Sequence, residues 1–284
     1  MRVKTLAFAM LATFGGAGLA AETPTRETAR VVEVIDGDTL VIDRDLGPGR
    51  QVRLQGAQAP KPFPDGSEAW IVPHAEAARV ALSDLATGRT VTLLLPPQPI
   101  NRYGQVLAQV ERDDGMWLQG EMLRRGLIRV HTQPNDPSRA AEMLRLEDQA
   151  RRDNLGLWAE INYAVRTPEN VGSDLGTFQI VEGRIVRTAR VKSQVYLNFG
   201  EDWRKDFTVN VPLRQFTRMH RDGLDLLALE GKRVRVRGWI NERNGPEIEL
   251  THPEQLEVIE SPSAQSRLTP PAAAAVPVPA PPLP

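Results

Sequence analysis

Alternating apolar and polar residues predict two successive groups of short strands along this chain. In the first group a helical repeat, from about Pro73 to Gly88, follows the third strand. Two more helices are predicted, one at 117–125 and one that Ser138 caps and that ends near residue 153. Five short strands with helices inserted late are typical of a small barrel and not of a parallel sheet. The predicted strands of this group are 31–35, 39–43, 51–55, 90–95 and 106–111.

A second β-rich pattern begins at Phe178, after residues with little periodicity. Its order is three strands, a short helix after Pro212 and two strands, with a hairpin turn at Asn244-Gly245. This order again indicates an OB-like barrel. The sequence therefore predicts a mainly β, α+β fold with a first domain at 28–160, a linker at 161–177 and a second barrel domain at 178–260.

The two ends of the chain have compositions of their own. Two basic residues, an apolar run at 6–14 and small residues at 18–21 predict a signal peptide over residues 1–21, so we expect an exported protein, periplasmic or secreted. A retained membrane anchor is the alternative. Residues 261–284 are rich in Pro and Ala and predict a disordered tail. The 284 residues include no cysteine, which excludes disulfides and thiolate metal sites.

Two acids flank a glycine where the first predicted strand ends. Asp36 and Asp38 are separated by Gly37, and acids at i and i+2 of an extended chain point the same way. Converging carboxylates of this kind bind hard cations. The alternative is a strand corner, in which Gly37 supplies the bend and the acids are solvated.

Five short segments resemble the staphylococcal nuclease family, an OB-fold barrel with three helices. They occur in the family's order and with nearly its spacing over about 130 residues. The matching segments are Val34-Ile35-Asp36-Gly37-Asp38-Thr39, Arg53-Leu54, Asn101-Arg102-Tyr103-Gly104, Arg125-Gly126-Leu127-Ile128 and Leu155-Gly156-Leu157-Trp158.

The resemblance implies hydrolysis of DNA and RNA phosphodiesters with Ca²⁺ as the cofactor. It places the first metal-binding acid on Asp38, a nearby acid on Asp36 and a phosphate-binding arginine on Arg53. If the family's site is retained, calcium is the expected cofactor.

Three further family positions carry different chemistry in this chain. Gln58 stands where the family has a second metal-binding Asp, and Lys61 where it has the Glu proposed as the general base. Gln105 stands where it has a second phosphate-binding Arg. An ammonium group does not accept a proton at neutral pH. The substitutions therefore predict impaired catalysis, unless Asp65 or Glu68 in the following loop serves as a relocated base.

Two groups of residues are candidates for binding a polyanion. Lys61, Arg102 and Tyr103 belong to the first domain, and Arg102 and Tyr103 offer phosphate contacts and base stacking. The second group, Arg233, Arg235 and Arg237, alternates with valines and is predicted to share an outer strand face. Residues 28–160 carry 16 Lys and Arg against 19 Asp and Glu, which opposes tight non-specific binding to nucleic acid.

The sequence supports two hypotheses about the function of the protein. The first is an exported nuclease-like protein without catalysis that serves as a binding module for nucleic acid, another anionic polymer or an envelope protein. The second is a weak or altered Ca²⁺-dependent endonuclease that uses Asp38 and Arg53.

Overall fold

The computed structural model describes residues 25–62, 69–134 and 139–259. Several sequence predictions lie outside these residues. They are the signal peptide at 1–21, the tail at 261–284, the helix cap at Ser138 and the alternative bases Asp65 and Glu68. None of the helices in the described ranges is long and apolar enough to cross a membrane.

The amino-terminal unit is a closed five-stranded barrel with three helices, which confirms the predicted α+β fold. Its elements are β1 (Thr25–Asp36), β2 (Thr39–Leu46), β3 (Gly49–Leu54), β4 (Ala57–Gln58), α1 (Ile71–Ala86), β5 (Thr90–Leu95), β6 (Val106–Arg112), α2 (Leu118–Arg124), β7 (Arg129–Val130) and α3 (Ala140–Arg152). The barrel order is β1, β2, β3, β6, β5 and back to β1. Strands β3 and β6 pair in parallel, whereas the other barrel neighbours are antiparallel.

Alternation along the strands fills the interior of the barrel. Val31, Ile42, Val52 and Leu93 have no exposed surface, and helix α1 adds Leu82 to the same core. Side chains of successive strand residues point to opposite faces, so every second residue enters the barrel. Closure also leaves the five barrel strands without a free edge.

Gly37 lies between β1 and β2, where the chain comes very close to α1. A Cβ atom at this position would lie 2.5 Å from the Cβ of Ala78 and 2.8 Å from the Cβ of Ala59. Such distances are far below van der Waals contact, so any larger residue would displace the helix or the turn. Glycine is therefore required here by close packing, which holds α1 directly against the turn between the two acids.

The second unit consists of two sheets around a core of its own. Its elements are β8 (Phe178–Arg184), β9 (Arg187–Val191), β10 (Gln194–Asn198), β11 (Thr208–Pro212), α4 (Leu213–Arg221), β12 (Arg233–Trp239), β13 (Asn241–Glu242), β14 (Pro246–Glu249) and β15 (Leu256–Val258). One sheet has the order β13, β14, β11, β10, β9 and the other β15, β12, β8. Within the described residues these ladders do not join into one closed sheet, so a second OB-like barrel stays a prediction.

The predicted connector at 161–177 packs against both units. Tyr163 belongs to a small apolar cluster that contains Trp158 of the first unit and Ile180 of the second. Val171 is fully buried in the core of the second unit, and the backbone N–H of Arg166 donates to the carbonyl of Ile180 at 2.8 Å. The segment is ordered by contacts with distant residues, which its own local pattern does not contain.

Candidate functional site

Two carboxylates from the turn between β1 and β2 face one lysine. Asp36 is the last residue of β1, and Asp38 immediately precedes β2. The Nζ of Lys61 donates a hydrogen bond to Asp36 and lies 3.0 Å from Oδ1 of Asp38. The ammonium group therefore lies between the two carboxylates and is hydrogen-bonded to both.

Asp38 is fully buried, and both of its carboxylate oxygens accept hydrogen bonds within the chain. Oδ2 accepts from the backbone N–H of Ala59 at 2.8 Å and from Arg53 at 3.2 Å. Oδ1 accepts from the hydroxyl of Thr39 at 3.0 Å as well as from Lys61. Burial raises the pKa of the Asp38 carboxyl, against the opposing effect of the two cations.

Asp36 is in a different electrostatic environment. Burial acts to raise its pKa, but hydrogen bonds from Lys61 and from the Asp38 backbone hold the pKa of this carboxyl below its usual value. Asp36, Asp38, Arg53 and Lys61 together carry two negative and two positive formal charges. A phosphate approaching this cluster must therefore compete with the carboxylates for the cations.

The structure places the two glutamines at substituted family positions, Gln58 and Gln105, in different pockets. Gln105 lines the cleft beside Lys61, and its amide donates to Oε1 of Gln51 at 3.1 Å and accepts from Asn101 at 2.9 Å. Gln58 lines a different pocket, and its Oε1 is buried without a hydrogen-bond partner among the described residues. Of these two glutamines, only Gln105 therefore lines the cleft together with Asp36.

The cleft around Lys61 has a volume of about 320 Å³ and an exposed aromatic rim. Tyr103 is 74% exposed, and the guanidinium of Arg102 lies 5.7 Å from the centroid of its ring. An exposed tyrosine with a neighbouring arginine offers a stacking surface and a phosphate donor. The cleft is lined by Ile35, Asp36, Thr39, Gln51, Arg53, Lys61, Tyr103 and Gln105.

The residues of this cleft do not fit a calcium ion. Calcium is held by six to eight oxygen ligands, several of them anionic. Here an ammonium group lies between Asp36 and Asp38, and both oxygens of Asp38 already accept hydrogen bonds. In the described residues, no group of three or more His, Asp or Glu side chains is arranged to hold a metal.

The three arginines of β12 share the strand face opposite the valines, as predicted, but the expectation that this face is open to an anionic partner is wrong for two of them. Arg237 is 1% exposed, and the side chain of Arg235 is 15% exposed. Arg235 pairs with Asp148 of α3, and both Arg235 and Arg233 pair with Glu182. This side of β12 packs against the first unit, because β8 and β12 bring their acidic and basic residues to α3. Arg235 and Arg237 are therefore not available to a polyanion, and binding by Arg233 stays a prediction.

A buried ion pair between the two units was not predicted from the sequence. Arg237 lies 2.7 Å from Glu147 of α3, which has no exposed surface, and 2.8 Å from Glu257. The other oxygen of Glu147 accepts the backbone N–H of Val130 at 2.7 Å. In the sequence Glu147 is one of several charged residues on a helix, so nothing local marks it as buried.

Two histidines lie in the same contact between the units. Nε2 of His252 lies 2.7 Å from the hydroxyl of Thr132, and the ring of His131 lies 5.0 Å from that of Phe178. Burial lowers the pKa of each histidine to about 4, and Arg53 further lowers that of His131. Both imidazoles are therefore neutral in the folded protein at neutral pH.

Acidification from about pH 7 to about pH 5 will lower the free energy of unfolding by on the order of 1–2 kcal/mol per buried histidine. The unfolded chain takes up these protons below about pH 6.5, whereas the folded chain resists protonation until about pH 4. Stability is thus fully present above the unfolded pKa and is lost as the pH falls towards the folded value. Urea unfolding at both pH values measures the loss.

The variants His252→Gln and His220→Gln separate this effect from general acid denaturation. His220 is exposed on α4, so its variant should keep the full pH dependence. Removal of His252 should reduce the pH dependence of the free energy of unfolding by the contribution of one buried histidine. Equal pH dependence in the two variants would contradict the assignment.

Comparison with known proteins agrees with this fold. Residues 51–160 match the family model described as "Staphylococcal nuclease homologue". A protein named "Uncharacterized endonuclease" from Escherichia coli is 33% identical over 132 residues, which are 46% of this chain and 76% of that protein.

Two further relatives are named as nucleases or nuclease-domain proteins. A "Thermonuclease" from Staphylococcus intermedius is 29% identical over 132 residues, 46% of this chain and 76% of that protein. "Staphylococcal nuclease domain-containing protein 1" from Drosophila melanogaster is 29% identical over 167 residues, 55% of this chain and 18% of that protein. The chain belongs to the staphylococcal nuclease family.

Proposed function

We propose that this protein is an exported member of the nuclease family that binds nucleic acid without a metal ion and without hydrolysing it. The position of Lys61 between Asp36 and Asp38 carries this proposal. Export rests on the signal-peptide pattern at residues 1–21.

The loss of hydrolysis follows from the charges in the cleft. Phosphodiester hydrolysis of this kind needs a metal that polarises the phosphate, a base that takes a proton from water, and cations around the developing charge. A divalent ion brought between the acids would be repelled by the ammonium group of Lys61. Asp38 is buried and accepts hydrogen bonds from both cations, so it is poorly placed to accept a proton from water.

Binding a phosphate group requires fewer chemical groups than hydrolysing it. Phosphate contacts need only positive charge and hydrogen-bond donors, which Arg53, Lys61 and Arg102 supply around one cleft. Tyr103 supplies an exposed ring on which a base can stack. Because the cleft's own acids neutralise two of these cations, the affinity should be modest and strongly dependent on salt.

The purified mature protein should leave plasmid, single-stranded DNA and RNA intact in the presence of Ca²⁺ or Mg²⁺. The physical reason is that the described residues of the cleft offer neither a free base nor a set of metal ligands. Gel electrophoresis of the three substrates at successive times measures whether they are cleaved. Cleavage that disappears in Asp38→Ala would overturn the proposal and establish the second candidate, a weak Ca²⁺-dependent endonuclease, which the retained Asp36, Asp38 and Arg53 favour.

Tyr103→Ala should weaken binding of a labelled single-stranded oligonucleotide by roughly 5- to 150-fold, the value of one base stacked on an aromatic ring. Fluorescence anisotropy at about 50 mM and about 200 mM salt measures both the affinity and its salt dependence. Trp203→Ala is the matched control, because Trp203 is 53% exposed in the second unit, away from this cleft.

Two results of this titration oppose the proposal. An oligonucleotide that does not bind even at the lower salt concentration would leave an envelope protein as the partner class. Equal losses in Tyr103→Ala and Trp203→Ala would remove the cleft as the binding site.

A further inference from the structure

A second pocket, of about 390 Å³, lies where the barrel meets the second unit. Strand β4, the start of α1 and strand β7 form one side of it, and residues 174–179 with Trp239 of β12 form the other. Its volume is in the range of small-ligand sites. Lys61 lines both this pocket and the cleft described above, so the two spaces adjoin.

The pocket contains a guanidinium group that forms no ion pair with a carboxylate in the described part of the chain. Among the described residues, Arg129 donates a hydrogen bond from Nη1 to the carbonyl of Phe178 at 3.0 Å, and the buried Glu147 attracts its charge only from beyond ion-pair distance. Desolvation lowers the pKa of Arg129, which reflects the cost of burying its charge. A bound anion would relieve that cost, because guanidinium groups bind phosphate and carboxylate through several parallel donors.

Aromatic rings surround this guanidinium. It lies 4.8 Å from the ring centroid of Tyr163 and 5.2 Å from that of Phe178. Each of these rings is in edge contact with an indole, Trp70 at 5.5 Å from Tyr163 and Trp239 at 6.2 Å from Phe178. Trp239 is 50% exposed, so a stacking surface remains open at the mouth of the pocket.

The pocket also holds an unused hydrogen-bond acceptor. Gln58 pairs directly with Arg129 where β4 meets β7, and its buried Oε1 has no hydrogen-bond partner among the described residues. A buried acceptor without a donor is costly, so a ligand N–H or O–H is expected to complete it.

We propose that this pocket binds one nucleotide unit, with its phosphate on Arg129 and its base on the indole of Trp239 or Trp70. A phosphate alone would leave the indoles unused, and an uncharged ring would leave the guanidinium unpaired. Gln58 accepts a hydrogen bond from the base or the sugar. This proposal rests on the proposed function, and it places the end of a nucleic-acid strand beyond the Lys61 cleft.

Adenosine 5′-monophosphate should quench the tryptophan fluorescence of the full-length mature protein in a saturable way, because Trp70 and Trp239 line the pocket. Arg129→Met should weaken binding by about 10- to 100-fold through loss of the charged donor. Trp239→Ala should weaken it by roughly 5- to 150-fold through loss of stacking. Adenosine and ribose 5-phosphate, titrated separately, should each bind more weakly than the nucleotide; ribose 5-phosphate is scored by its competition with the nucleotide.

Controls keep the test independent of folding. Trp239→Ala alters an exposed side chain, so it remains informative if Arg129→Met lowers the melting temperature. Trp203→Ala removes an exposed indole that lines a different pocket of the second unit, so this variant should bind the nucleotide as the unaltered protein does. No saturable quenching, or unchanged affinity in both pocket variants, would overturn the proposal.

The two proposals fail in different ways. A protein that binds the oligonucleotide through Tyr103 but does not bind the mononucleotide refutes the pocket alone. Mononucleotide binding that depends on Arg129, without any oligonucleotide affinity that depends on Tyr103, refutes the cleft and supports the pocket.

Discussion

The combined changes Gln58→Asp, Lys61→Glu and Gln105→Arg will give the protein a Ca²⁺-dependent phosphodiesterase activity. We expect a rate increase on the order of 10²–10⁴ from the restored base and about 10²–10³ from the restored cation, with a combined effect smaller than the product. Cleavage of a labelled oligonucleotide with Ca²⁺ and with a chelator measures the activity.

Lys61→Glu carries most of this expected gain. It removes the ammonium group from between Asp36 and Asp38 and places a third carboxylate beside them. Three acids on one cleft approach the anionic oxygen shell that calcium prefers. Calorimetric titration with Ca²⁺ therefore gives a second readout that does not depend on catalysis.

Lys61→Met is the matched control for the triple variant. It frees the same two acids but supplies no base, so it should gain Ca²⁺ affinity without cleavage. A folded triple variant that neither binds Ca²⁺ nor cleaves would contradict the assignment of these positions. The effect of Gln58→Asp depends on the orientation of its side chain. Gln58 lines the pocket between the units, so an aspartate there must turn towards the cleft to bind Ca²⁺.

Arg237→Met will lower the free energy of unfolding by about 3–5 kcal/mol, because it removes the cation that is hydrogen-bonded to a buried carboxylate. Glu147 has no exposed surface, and it keeps only the backbone N–H of Val130 at 2.7 Å and the more distant guanidinium of Arg151 at 3.7 Å. Screening by solvent is negligible for this pair, since Arg237 is itself buried. Urea unfolding followed by circular dichroism measures the loss.

Arg233→Met is the control on the same strand. Arg233 pairs with Glu182, but its side chain is 56% exposed, so its loss should cost less than about 1 kcal/mol. Adding Glu147→Gln to Arg237→Met should recover much of the larger loss, since it removes a buried charge that has lost its hydrogen-bonded cation and keeps an acceptor for Val130. Similar losses at positions 233 and 237 would disprove the buried pair.

The barrel was predictable because its signals are local. Period-two alternation, such as that around Leu40 and Val52, indicates which side chains enter a barrel. The residues that signal turns and helix ends lie within a few residues of the elements that they end. The arginines of β12 show the limit of this reasoning. Alternation correctly separates them from Val234 and Val236, but it does not state whether the opposite face meets solvent or another part of the chain.

The sequence by itself determined the barrel, its place in the nuclease family and the replacement of an acid by Lys61, because each depends on residue types at short spacing. Only the tertiary structure decided where those groups point. The folded chain places the Lys61 ammonium between Asp36 and Asp38. It also directs Gln58 to the lining of a second pocket, and it pairs Arg237 with Glu147, which is 90 residues away in the sequence. Such contacts join segments far apart in the chain, and their electrostatic energy depends on burial and distance, which a linear pattern does not contain.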